Sequence, residues 1–308
     1  MRLETFYGKA EVSTYRTKAA PLVGTPVIPE SEYMGRPHDL LAAEIQVLVF
    51  GEAFTAAYTD GDNTNVVATD TMKNFIHTES LAFEGSTLEG WLFFLGQRFL
   101  DTYPHMERLR VSAEEVRFDA ARVPSTGGGF IDSPVLFHRR HDDHGVAAVD
   151  LERDDDDGVI VTDLQSGRVG LDLMKTTGSA FADFPRDEYT TLPSKKDRLL
   201  FTHFDVHWRY ADRAAAIEPT AAEYVAPDQV ADLAAAVFDD FVSLSIQHLV
   251  NEIGERMFER YPALTEISFD AQNRTFDTSD ESDSDERRKV YTDPRPPYGR
   301  IGLAMHRD

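Results

Sequence analysis

The feature that most narrows the fold of this 308-residue chain is an order of segments that occurs twice: extended stretches, a long apolar-striped helix, then extended stretches again. In the first half, β-favouring residues run from His38 to Phe50 and from Thr55 to Tyr58, closed by the turn cluster Thr59-Asp60-Gly61-Asp62-Asn63. Val66-Val67-Ala68 leads into Thr71 to Thr78, which reads as a short helix or turn. The spacing of Leu88, Leu92, Leu95 and Phe99 predicts a helix over 88–103, ended or kinked by Pro104. Val111 to Val123 then reads as a strand pair, and Gly127-Gly128-Gly129 punctuates the passage into the second half. There Val135 to Leu151 reads as a strand interrupted by a His/Asp-rich turn. Val159 to Lys175 reads as further strands around Ser166-Gly167, and Leu199 to Tyr210 as a strand packing Phe201, Val206 and Trp208. Val237, Phe241, Leu244, Ile253 and Met257 stripe a helix over 227–260, with a break expected at 240–244. Pro262 stops it before Leu264 to Phe269. This order implies an α+β fold, with antiparallel sheets carrying helices on one face. Domains commonly hold about 100 to 200 residues, so two units are expected, drawn here as 1–132 and 133–308.

Charge removes several functions. Lys and Arg number 31 against 54 Asp and Glu, a formal charge of -23 that repels nucleic acid and anionic lipid. Neither is expected as a partner. Molar salt screens such self-repulsion over about 3 Å, so the composition suits a halophile cytoplasm. The acidic runs 154–157 and 277–286 read as solvated surface, with an acidic interaction tail as the alternative. Cysteine is absent, which rules out thiol nucleophiles and thiolate metal sites. The start of the sequence carries no long apolar segment, so neither a signal peptide nor a membrane span is expected. No Gly-rich phosphate loop follows a strand. Thr190, Thr191 and Ser194 lack a nucleophile elbow. His138, His141 and His144 lie where Arg139, Arg140 and Gly145 mark a strand-to-turn passage, so a solvated loop is expected rather than a metal site.

Longer strings carry more. Phe6-Tyr7-Gly8-Lys9, the run Asp62 to Asn74 and the run Phe181 to Leu192 resemble signature regions of the uricase family. So do Asp197-Arg198, Ser245-Ile246-Gln247, Asn273 and Pro297-Tyr298-Gly299-Arg300-Ile301, all in family order. The resemblance implies two tandem tunnelling-fold (T-fold) units per chain and a homotetramer whose sheets close into a barrel, with active sites between subunits. It implies purine degradation: urate, dioxygen and water become 5-hydroxyisourate and hydrogen peroxide, with no metal, flavin or haem. Lys9, Thr69 and Asp70 would come from one subunit, and Phe181, Arg198, Ile246, Gln247 and Asn273 from its partner.

These residue types suit that chemistry. Urate is a planar anion edged with carbonyl and N–H groups. An arginine fork can grip its charged edge, and a glutamine amide can both donate and accept opposite. Phe181 offers a flat face, Ile246 an apolar wall or backbone contacts, and Asn273 a hold on oxygen or water. Thr69 and Asp70 follow an apolar segment and can expose backbone N–H groups at a helix start, or act as its N-cap. Lys9 is the expected base, relaying a proton through Thr69. One departure stands out. Many uricases carry a histidine two residues after the asparagine corresponding to Asn273, where this chain has Thr275, which can position water but cannot take up a proton near neutrality. His77, His203 and His207 are the candidates to replace it. A non-catalytic urate- or purine-binding protein is the alternative reading, and a purely structural tunnel-forming oligomer the third.

Overall fold

The computed structural model describes residues 3–154, 158–217 and 223–307, so most of the acidic run 154–157 lies outside the described residues. Along the chain the strands are β1 (Phe6–Arg16), β2 (Leu41–Phe50), β3 (Arg108–Glu115), β4 (Phe118–Pro124), β5 (Phe130–Arg139), β6 (His144–Arg153), β7 (Val159–Lys175), β8 (Leu200–Tyr210), β9 (Leu264–Arg274), β10 (Thr278–Ser282), β11 (Asp285–Tyr291) and β12 (Gly299–His306). Eight of them form one sheet in the order β1-β2-β3-β6-β7-β8-β9-β12. Every neighbouring pair is antiparallel. β4 pairs with β5, and β10 with β11, as separate hairpins. The helices are α1 (Thr55–Thr59), α2 (Thr69–Glu79), α3 (Leu88–Thr102), α4 (Ala214–Ile217), α5 (Pro227–Asp240) and α6 (Ile246–Arg260).

Period-two patterning decides which face of the sheet is covered. On β2, Leu41, Ala43, Ile45, Val47 and Val49 are buried towards the helices, whereas Glu44 and Gln46 face away. β8 alternates without a fault, with its even-numbered residues from Leu200 to Tyr210 inward. α3 lays Leu92, Leu95 and Phe99 onto this layer, and the Thr87 hydroxyl accepts from Gly90 N to cap its start. Trp91, Trp208 and Phe204 are fully enclosed in the same core. Each such side chain contributes about 1.5–3 kcal/mol over leaving it exposed. Among the described residues no helix is long and apolar enough to cross a membrane.

The predicted break in the 227–260 helix is present: α5 stops at Asp240 and α6 starts at Ile246. Lys175 Nζ donates to the carbonyls of Phe238, Asp239 and Phe241 (2.8–3.0 Å), closing the carbonyl end of α5. Other expectations need correction. Thr55 to Tyr58 is helical, because an apolar run of four residues carries too little periodicity to separate strand from helix. Val159 to Lys175 is one strand, bent at an irregularity between Arg168 and Leu171 where Gly170 has φ 76°. The two strands expected within 111–123 exist but do not pair with each other: β3 joins the main sheet and β4 the hairpin. The second acidic run folds into β10 and β11. The boundary expected at 132/133 falls inside β5.

Candidate functional site

In the second half, three connections bring distant residues to one place. Ser179 bridges in parallel to Ser243, with Ala180 N donating to Ser243 O (2.7 Å) and the two buried serine hydroxyls bonded at 3.0 Å. This fixes the segment entering Phe181 against the link between α5 and α6. Phe181 pairs with Lys195 through both backbone bonds (2.8 and 2.9 Å), and Arg198 N donates to Ser179 O (2.8 Å), so Phe181 and Arg198 return to the same point. The Asp197 carboxylate accepts from Thr177 Oγ1 and Gly178 N, and these bonds hold it below the usual carboxylate range. Nothing in the periodicity singled out Ser179 or Ser243. Their role is tertiary and their burial was not legible.

The Arg198 guanidinium carbon stands 5.5 Å from the Phe181 ring centroid. Among the described residues no carboxylate lies within ion-pairing distance of Arg198, although acids abound, and its buried Nε has no hydrogen-bond partner. Burial lowers its pKa, with no anion opposing that shift. Asn273 sits near the end of β9, across from Thr202 on β8 and Gly299 on β12. It shares the helix-side face with buried Ile267, Phe269 and Ala271, and its buried Oδ1 is also unpartnered. Only six buried side-chain atoms among the described residues lack a partner, and two belong to the expected site. Buried polar groups are rarely left so without a ligand or water to meet them.

The first turn of α6 adds Ile246 and Gln247. Ser245 caps it by accepting from His248 N (3.1 Å). Gln247 is exposed, whereas Ile246 is 2% exposed and belongs to the core cluster.

Lys9, Thr69 and Asp70 gather elsewhere. Lys9 on β1 pairs with Val47, so it lies on the helix side, just before a bulge that ends at Val12. Thr69 and Asp70 open α2, whose N-cap is Ala68 without a side-chain bond, so neither residue serves as the N-cap. The first N–H groups of the helix therefore have no capping side chain. Tyr7 accepts from Val67 N (3.1 Å) and ties the approach to α2 onto β1. Asp70 is held below its ordinary pKa by Lys73, bonded at 2.5 Å, with the Lys9 charge adding to the effect.

Within one chain these two groups stay apart. β1 is first and β9 seventh in the sheet order, so six strand spacings separate Lys9 from Asn273, about 29 Å along the sheet. Nor does any of the three candidate histidines stand beside Thr275, which is exposed just past β9. His203 and His207 occupy the β8 face opposite the helices, and His203 Nδ1 is 2.7 Å from Asp172 there. His77 contacts Ser13 O, eight residues and about 12 Å along α2 from Thr69. His138, His141 and His144 span the end of β5 and the start of β6. Among the described residues no group of three or more His, Asp or Glu side chains is placed to hold a metal.

The antiparallel sheet with its helices on one face has the α+β architecture of the T-fold class. The uricase family description matches residues 38–154 and 164–302. The chain is 44% identical over 302 residues to a uricase of Haloferax volcanii, covering 98% of this chain and 97% of that one. It is 41% identical over 302 residues to a uricase of Halalkalicoccus jeotgali, with 98% and 97% covered. The crystal structure of urate oxidase from Bacillus sp. TB-90 superposes with a TM-score of 0.94 at 38% identity, over 99% of this chain and 100% of that one. This chain is a member of the uricase family.

Proposed function

We propose that the protein is a urate oxidase of purine degradation: urate, dioxygen and water give 5-hydroxyisourate and hydrogen peroxide, with dioxygen as co-substrate and no cofactor. The observation that carries this reading is Arg198. A guanidinium with no carboxylate partner among the described residues of so acidic a chain, and with a buried unsatisfied Nε, suits an anion supplied from solution. Arg198 and Gln247 grip urate in its plane, Phe181 lies under the ring, and Asn273 orients oxygen or water through its unpartnered Oδ1. The α2 N-terminal N–H groups at Thr69 and Asp70 meet the opposite edge of the purine. Lys9 takes up the proton by way of Thr69, and Thr275 only positions solvent. Protein groups thus supply placement and electrostatic stabilisation, while the electron-rich purine supplies the electrons.

The site is completed by a second chain. β12 and β1 are the two ends of the sheet, and a partner's β1 laid along β12 would put its Lys9 two strand spacings, about 10 Å, from Asn273. Lys9 and Asn273 both lie on the helix side, which supports this pairing. Repeated, it closes the sheets into a barrel-like tunnel within a homotetramer. Two T-fold units per chain are proposed on the same footing, supported by the two stretches that match the family description. A division after β6, rather than at 132/133, gives each unit four strands of the main sheet. The acid-rich composition suits a salty cytoplasm, the location proposed.

Chelator-treated protein in molar salt, given urate with and without oxygen, tests the proposal. Loss of the urate absorbance band with peroxide release, only when oxygen is present, is expected. Strict metal dependence overturns the cofactor-free part, and tight binding without turnover selects the non-catalytic urate-binding reading.

A further inference from the structure

Phe181 does not stand alone. Its ring is stacked on that of Phe184, with centroids 4.9 Å apart and planes inclined by 18°. The Arg186 guanidinium in turn lies 5.6 Å from the Phe184 centroid. The turn that allows this is set by Asp183, whose φ of 60° lies in the left-handed region that Asp tolerates better than most residues. It folds the chain back so that rings three residues apart meet face to face. The far side is anchored as well. Arg186 Nη1 donates to Leu192 O (2.9 Å), and Asp187 closes the next turn by accepting from Tyr189 N and Thr190 Oγ1.

An aromatic ring has two faces. Phe184 covers one face of Phe181, and in the proposed site urate takes the other, beside the Arg198 guanidinium that stands 5.5 Å from the ring centroid. We infer that Phe184 is a positioning residue for urate, backing the Phe181 ring so that it forms a fixed platform. The inference rests on the urate site proposed above. Without its neighbour, the half-buried Phe181 ring gains freedom to tilt, and each substrate molecule must restore its orientation on binding. An offset-stacked ring pair biases such an equilibrium by roughly two- to tenfold. The cost falls on binding rather than on the chemical step, because Phe184 touches none of the reacting atoms.

Urate KM and kcat, measured for Phe184→Ala, Phe184→Leu and Phe184→Tyr beside Phe181→Ala as reference, test this. Phe184→Ala is expected to raise KM about three- to tenfold while kcat stays within twofold. Phe184→Leu keeps the bulk without the flat ring and should shift KM in the same direction, and it serves if the alanine variant fails to fold. Phe184→Tyr keeps the stack and should restore the native KM. An unchanged KM in the alanine and leucine variants, with Phe181→Ala raised, overturns the inference alone. A lowered KM also overturns it, since Phe184 would then occupy the substrate's place. An unchanged KM in Phe181→Ala sinks the site reading beneath it.

Discussion

Two arginines in this molecule, one buried and one half-buried, live under opposite rules. Arg168, in the bend of β7 and 1% exposed, has Asp143 at 2.5 Å and Asp228 at 3.6 Å. Arg198, ahead of β8, has no described carboxylate within ion-pairing reach. The first carries its own counter-charge and helps hold β7 against the surrounding elements. The second has no such counter-charge, and in the site proposed above the substrate anion supplies it. Among the described residues Arg36 and Arg307 also lack an acid partner but donate to backbone carbonyls instead, whereas the buried Nε of Arg198 has no partner. The contrast separates a cation neutralised by the fold from one that the proposed function assigns to an incoming anion.

Substitution should separate those duties. Arg198→Ala is expected to lower kcat/KM by about a thousandfold, roughly 4 kcal/mol, with the denaturation midpoint scarcely moved. Arg168→Ala should do the reverse, costing about 3–5 kcal/mol of stability by leaving Asp143 without its buried cation, while Asp228 keeps Arg117 at 3.1 Å. Equal effects of the two variants on midpoint and turnover would erase the distinction. Lys9→Met comes next: a fold intact by circular dichroism with turnover reduced about a hundredfold, the lower end for loss of a proton-transfer group. Near-native turnover would remove Lys9 from the relay.

Carboxylates repeat the contrast, with smaller consequences. Glu30 is gripped by Arg260 and Arg256, which lower its pKa to about 2. Its contribution is full above the unfolded value of about 4.5 and is lost as pH falls through 2, a swing of about 3 kcal/mol. Glu89, at the start of α3, is fully buried and meets the Ser166 and Tyr224 hydroxyls rather than a cation, and burial raises its pKa to about 7. Its sign is opposite: stability is full below about 4.5 and is lost as pH rises through 7. Denaturant midpoints against pH in molar salt should therefore show Glu30→Gln differing from the native protein above pH 4.5, and converging with it in acid. Glu89→Gln should flatten the decline between pH 5 and 8. Parallel curves for native protein and variant would refute either assignment.

Sequence disclosed more of the helices than of the strands. The apolar spacing from Leu88 to Phe99 located α3 almost to its ends, and the faltering stripe near Asp240 anticipated the gap before α6. Periodicity spans many turns in such segments and averages out local noise. It failed at Thr55 to Tyr58, which is too short, and along 277–291, where acidic composition hid two strands. At the site, the signature strings identified which residues to watch but not their condition. That the Ile246 side chain faces the core depends on how α6 rolls against β9. Whether a histidine could stand in for the one that Thr275 replaces depends on which sheet face carries His203 and His207. Strand parity settles this only once the register is known.

β1 and β12 each bond to one neighbour and end the sheet with an open backbone ladder. With Lys9 on one rim and Asn273 beside the other, the shared site proposed above gives a solitary chain only two separated halves of a reaction centre. Catalysis then becomes a property of encounter: specific activity should decay on dilution, and on desalting too, as like-charged copies drift apart while each keeps its shape.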